Sequence, residues 1–147
     1  MTIQTVPPAI AVIGATISGI TTATDPPPAA IETAQLPCLY TFTGEATYEW
    51  NGDHGYETRL YRVQVAVIPR TQATPETRET RCRPLIVAVR DALASSPQIG
   101  EVLRVMGARV IGDSGPAILP EFEMKYVGFE VRLEVKSIVA RRYDADE

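Results

Sequence analysis

Histidine occurs once, tryptophan once and cysteine twice in the 147 residues of this chain, and each scarcity excludes a class of chemistry. Cys38 and Cys82 stand far apart with no CxxC spacing, so neither a disulfide framework nor a thiolate metal site is indicated, and both are expected as buried thiols. A lone histidine, His54, supplies one ligand where a zinc site needs three or four. No apolar run reaches the roughly 18 residues that span a bilayer, and the opening MTIQTVPP lacks the basic region of a secretory signal. The expectation is a soluble protein made in the cytoplasm, with no membrane partner. Basic residues are also short: 14 against 18 acidic ones, a net charge of −4. Binding to phosphate backbones rests on clustered Lys and Arg, so specific nucleic-acid recognition is not expected.

What is present is enough to fold. An apolar share of 45% with 22% charged residues lies near the globular average, away from compositions that stay disordered. The length suits one domain, 1–147, and is too short for two independent cores. The ordered core is expected over about 6–138, with 140–147 (ARRYDADE) as a loose polar tail.

Hydrophobic spacing sets out the elements. Val6, Ile10, Ile13, Ile17 and Ile20 recur at intervals of three and four, which predicts a helix starting near Pro7 or Pro8 and stopping about Thr21, before Pro26-Pro27-Pro28. Strands are predicted over Leu36–Thr43 and Ala46–Trp50, followed by the turn cluster Asn51 to Gly55 and a return arm from Tyr56 to Pro69. In that arm Tyr61, Val63, Val65 and Val67 alternate with Arg62, Gln64 and Ala66. Thr74-Pro75-Glu76 reads as an N-cap, a first-turn proline and an acidic first turn of a second helix, which Pro84 should kink or divide and Ser95-Ser96-Pro97 should end. Strands are then predicted over Met106–Asp113 and Ala117–Met124, around a turn at Ser114-Gly115-Pro116. In the last strand Val127, Phe129, Val131, Leu133 and Val135 alternate with Gly128, Glu130, Arg132, Glu134 and Lys136. The fold class is α+β: one mixed or antiparallel sheet, two main helices packed on it and a projecting β-hairpin.

Several strings imitate chemistry. AIAVIGATISGITTA resembles a dinucleotide-binding glycine motif, but Thr16 stands where the middle glycine must let the backbone approach a pyrophosphate. No cofactor is expected. Gly112-Asp113-Ser114-Gly115 matches the surroundings of a serine-protease nucleophile, yet the same residue types make a good turn. Asp53 and His54 share a polar hairpin tip, too few ligands for a metal. Glu121 with Glu123, and Glu130 with Glu134, are read as one-face strand pairs; Arg132 between the latter two points to cross-strand pairing or a subunit contact rather than acid–base catalysis. Glu79 four residues before Arg83 predicts a helix-surface pair. Every apparent catalytic motif lacks a required member, so no enzymatic activity is expected. The candidate interface residues are Trp50, Asn51, Asp53, His54 and Tyr56 at the hairpin and Glu130, Arg132 and Glu134 on the last strand.

The order of elements and the strings LPCLYTFTGEATYEWNG, RLYRVQVAVIPRT, PLIVAVRDALASSP and VIGDSGPAILPEFEMKYVGFEVRLEV resemble the tail-terminator and head-tail joining proteins of long-tailed, siphovirus-like bacteriophages. The likeness covers roughly residues 6 to 138 and consists of strand edges, turns and helix placement, not a catalytic motif. It implies a structural virion protein of the tail-neck region, assembled in the host cytoplasm. Such a protein forms a ring, expected to be a homohexamer, that caps the tail tube and offers its other face to the head-tail connector or stopper. DNA would pass through without being specifically bound. A neck adaptor or stopper, another minor tail protein of the same phages, a small binding module outside phage biology and an enzyme of unrecognised type are the competing readings.

Overall fold

The computed structural model describes residues 2–100, 102 and 104–140. The tail expected from residue 140 lies outside the described residues except for Ala140, which closes the last strand. Helix α1 (Thr2–Ala15) leads to a short β1 (Thr22–Ala23), then β2 (Cys38–Asn51) and β3 (His54–Pro69). Helix α2 (Pro75–Ala94) is followed by β4 (Val105–Asp113), β5 (Ala117–Leu119) and β6 (Tyr126–Ala140). The six strands form one mixed sheet in the order β1-β2-β3-β6-β4, with β5 also on β6. Only β1 runs parallel to its neighbour; the other pairings are antiparallel. The class is α+β, as the alternation of residues predicts.

One face of the sheet carries the main core. Leu39, Tyr61, Val63, Val65 and Val67 meet Phe129, Val131, Leu133 and Val135 beneath Val6 and Ile10 of α1 and Cys82, Leu85, Val89 and Leu93 of α2. A fully buried Val, Leu or Ile contributes about 1.5–3 kcal/mol relative to its exposed state. The opposite face has a smaller cluster at one end: Ile31, Cys38, Tyr40, Ala66, Leu119, Phe122 and Tyr126. Its rings meet edge to face, Tyr40 on Phe122 at 5.2 Å, and the Tyr126 hydroxyl donates to the Ile31 carbonyl at 2.6 Å. The elsewhere solvated face has Arg62, Glu130, Arg132 and Glu134 in its rows.

Four expectations change. Helix α1 begins at Thr2 and contains Pro7 and Pro8. An interior proline costs on the order of 3 kcal/mol, and the complete burial of Val6 and Ile10 offsets that penalty. The helix also stops six residues early, at Ala15. Thr16 binds back to the Ile13 carbonyl through its hydroxyl at 2.6 Å and Gly19 takes φ +96°, so Ile17 reaches the core from a turn. The two strands expected over 36–50 are a single β2, with a bulge between Thr43 and Ala46. Helix α2 runs undivided through Pro84, whose position is exposed, so that water can take the carbonyl that loses its helical donor.

The N-cap of α2 is as expected: the Thr74 hydroxyl accepts from the Thr77 amide, with Pro75 in the first turn. Glu79 and Arg83 pair at 2.8 Å on its exposed side. Cys38 and Cys82 are both fully buried and free. Burial pushes the Cys38 thiol from its ordinary 9.0 up to about 11 and raises that of Cys82 as well. Neither is expected to react with an aromatic disulfide reagent at pH 8 until the chain unfolds, which a thiol titration with and without denaturant checks. Because the folded Cys38 value is the higher one, its stabilising contribution is complete below pH 9. It is lost as pH rises from 9 through about 11, where the unfolded thiol ionises first.

Candidate functional site

The hairpin closes through a two-residue loop, Gly52-Asp53, between the paired Asn51 and His54. Gly52 takes φ +71° while Asp53 does not take a positive φ, the sign pattern of a type II′ turn, in which glycine leads. The bulge at Gly44-Glu45 then decides which way the end of β2 faces. One extra residue reverses the alternation, so Ala46, Tyr48 and Trp50 oppose Arg59, Glu57 and Gly55 on the same face as Tyr61 and Val63.

At this distal end Tyr48 and Trp50 are 46% and 45% exposed. Their rings stack with centroids 6.0 Å apart and planes 6° from parallel. Trp50 lies across Gly55, where a side chain would collide with its indole and with the Glu49 carbonyl. The platform is anchored from below. Glu57, only 2% exposed, receives Arg59 Nε at 3.2 Å and the Tyr48 hydroxyl at 3.0 Å. Arg59 also donates to the Tyr48 oxygen at 3.0 Å and to the Gly44 carbonyl of the bulge at 2.9 Å. Burial first, then the hydrogen bond to Glu57, raises the Tyr48 phenol. Burial opposes the charge on Arg59, but the hydrogen bond and proximity to Glu57 outweigh it and raise its pKa.

The other face carries the remaining expected residues. His54, Tyr56, Glu130, Arg132 and Glu134 occupy equivalent positions of paired β3 and β6; Trp50 is separated from them by the sheet. His54 and Tyr56 rings meet edge to face at 6.2 Å, and Lys136 Nζ sits 4.9 Å above the Tyr56 ring. Glu130 is the hub of a network: Arg62 at 3.3 Å, Arg132 at 3.3 Å and the Gln64 amide at 3.1 Å. Glu134 accepts from Arg109 of β4 at 3.0 Å. The predicted cross-strand pairing of these carboxylates is present. Asn51 and Asp53 are exposed at the turn.

Glu121 and Glu123 do not share a strand, because β5 ends at Leu119. Gly112-Asp113-Ser114-Gly115 does not turn the chain back into a hairpin. It interrupts an edge whose two pieces, β4 and β5, both pair with β6. Asp113 Oδ1 accepts from the Gly115 amide at 2.8 Å, while Ser114 Oγ donates to the Gly115 carbonyl at 2.7 Å and accepts from the Glu130 amide at 2.9 Å. Asp113 is level with Val131 and His54 with Ala140, so about 30 Å of β6 separates them at about 3.3 Å per residue. Gly14 lies in α1, where an added Cβ would come within 2.9 Å of Leu39; close approach to β2, not a phosphate, accounts for it.

Sequence reasoning missed Tyr48, Glu57 and Arg59. Their signal was the phase of β3: residues 57 and 59 fall in the same register as Tyr61, Val63 and Val65, which places a carboxylate and a guanidinium on the inward side. It also missed Met106 and Ile111, which are 46% and 47% exposed. Each is the extra residue of a bulge in β4, between Val105 and Gly107 and between Val110 and Gly112. Among the described residues, no three His, Cys, Asp or Glu side chains converge on a metal position, and no helix is long and apolar enough to cross a membrane. No family model matches the chain, and no curated protein matches it.

Proposed function

We propose that this chain is a structural assembly subunit: a tail-terminator-like protein that forms a ring at the end of a phage tail tube and joins it to the head. The observation that carries this reading is the Tyr48–Trp50 platform. Two large rings are held out to solvent by a buried Glu57–Arg59 pair, and such rigid, exposed aromatics are characteristic of protein contacts. The hairpin that presents them is built from strands of 14 and 16 residues, a rigid base for a docking surface. The resemblance in element order and strand edges supplies the partners: tail-tube protein on one side of a homohexameric ring, connector or stopper on the other.

Electron microscopy of the purified chain, alone and mixed with tail-tube protein from the same genome, tests this. Rings of about the tube's diameter, seated at tube ends and limiting tube length, are expected. Chains that ignore the tubes and bind a portal-side adaptor instead would replace the terminator with a neck adaptor, and chains that bind neither would end the phage reading.

A further inference from the structure

The two edges of the sheet are matched to each other. From Thr41 to Asn51 the outer side of β2 lies beyond the reach of β1, which pairs only with Cys38 and Leu39. At the far edge, no strand among the described residues pairs with the outer side of β4. Open edges are usually blunted by Lys, Pro, inward charge or bulges; β2 from 41 to 51 and β4 contain no Lys or Pro, and their bulges leave the rows on either side in step. They carry exposed apolar side chains instead: Tyr48 and Trp50 on β2, Met106 and Ile111 on β4, and Ile118 on β5. Among the described residues, the only other such residue in a strand is Ile138.

Three further features agree. Successive antiparallel pairings leave β2 and β4 running in opposite directions. The rows coincide: Tyr48–Glu57–Ser137–Val105, Ala46–Arg59–Val135–Ala108 and Thr43–Tyr61–Leu133–Val110 each cross the whole sheet. In two rows the charges at the two edges are opposite. Glu45, in the bulge facing Leu60, is level with Glu134 and Arg109. Glu49 lies in the row of Tyr56 and Ile138, whose amide binds the Arg104 carbonyl. The β2 stretch has two glutamates and no basic residue, while Arg104 to Asp113 has two arginines and one acid.

We infer that the outer edge of β2 in one copy docks antiparallel on the β4 edge of the next copy, Glu45 facing Arg109 and Tyr48 facing Val105–Met106. The contact is heterologous, since two different surfaces meet, and repeated rotation about an axis along the strands closes it into a ring. It names the joint of the ring proposed above and rests on that reading only for closure and for the tube.

The test is charge reversal with mutual rescue in the full chain, read by analytical ultracentrifugation. Glu45→Arg alone and Arg109→Glu alone should each weaken self-association about tenfold or more. An equimolar mixture should restore it, because every junction then pairs opposite charges. Variants that assemble like wild type overturn the inference, as does a wild-type chain that never self-associates. Should Arg109→Glu disturb folding by repelling Glu134, hydrogen exchange on the wild type decides. Amides of 41–51 and of 105–113 must gain protection together on assembly; protection of one edge alone, or of neither, refutes the pairing. Tube-capping rings that tolerate both reversals refute this contact and leave the proposed function standing. Mutual rescue in an assembly indifferent to tubes does the reverse.

Discussion

Gly128→Ala is expected to destabilise the protein by on the order of 3 kcal/mol or more, although it adds one methyl group in a strand. Gly128 pairs with Ala66 beside a bulge of β3, in which Val67 is the extra residue between Ala66 and Ile68. There the two central strands approach so closely that a Cβ on Gly128 would run into the Val65 carbonyl oxygen. It would also come within 2.9 Å of the Val65 carbonyl carbon and 3.0 Å of Leu119 Cδ1. Backbone in the middle of a sheet cannot swing aside as a side-chain end can. The strands must separate locally, which loosens the β3–β6 pairing and the ring cluster of Tyr40, Phe122 and Tyr126. For a chain of this size the loss corresponds to a melting temperature lower by about 10 °C. Gly107→Ala is the control: it has the same chemistry on β4, no positive φ and nothing within 4 Å of the new Cβ, so it should shift stability by less than about 1 kcal/mol. Urea melts of the two variants decide. Equal effects would mean that the close approach at Gly128 does not exist in solution.

The same bulges explain where sequence reading succeeds and where it stops. Strict alternation in residues 61–67 and 127–135 identifies the helix-facing side of β3 and β6, because one buried face imposes a period of two. From that, the placement of Tyr56, Glu130, Arg132 and Glu134 on the other side follows. The two-residue loop pairs Trp50 with Gly55 and so sets it on the opposite face from Tyr56. A bulge adds a residue without changing composition, so the alternation of residues 38–43 gives no warning of the face that Tyr48 and Trp50 take. Gly44 offered a hint, since glycine in a strand often marks a bulge, but not its direction. Met106 and Ile111 look like ordinary strand hydrophobics until pairing with β6 leaves each of them over. Prolines misled for a related reason. Pro7, Pro8 and Pro84 carry local penalties that a sequence displays, whereas the offsetting burial of Val6, Ile10, Leu85 and Val89 depends on partners distant in the chain.

Arg59→Ala should cost about 3–5 kcal/mol, far more than an exposed arginine would. The pair it breaks is inside the protein: the Glu57 side chain is 3% exposed and that of Arg59 14%. Taking away the guanidinium leaves a buried carboxylate beside the Tyr48 hydroxyl at 3.0 Å, and leaves the Gly44 carbonyl without the Arg59 bond that pins the bulge. Replacing both members is a different matter. In Glu57→Leu/Arg59→Met no charge is stranded, and most of the lost stability should return, because the attraction within a buried pair roughly repays its desolvation and little more. The cycle of two single variants and the double should therefore show a coupling of about 2 kcal/mol or more. Thermal melts supply the free energies. The single tryptophan supplies a second reading, since Tyr48, stacked on Trp50, loses the hydrogen bond from Arg59 in Arg59→Ala and the emission of Trp50 should shift in the folded state. Additive stabilities with unchanged emission would sink the idea that Glu57 and Arg59 hold the aromatic platform. In that case Gly55→Ala, which puts a methyl group into the indole, would be the substitution that displaces Trp50.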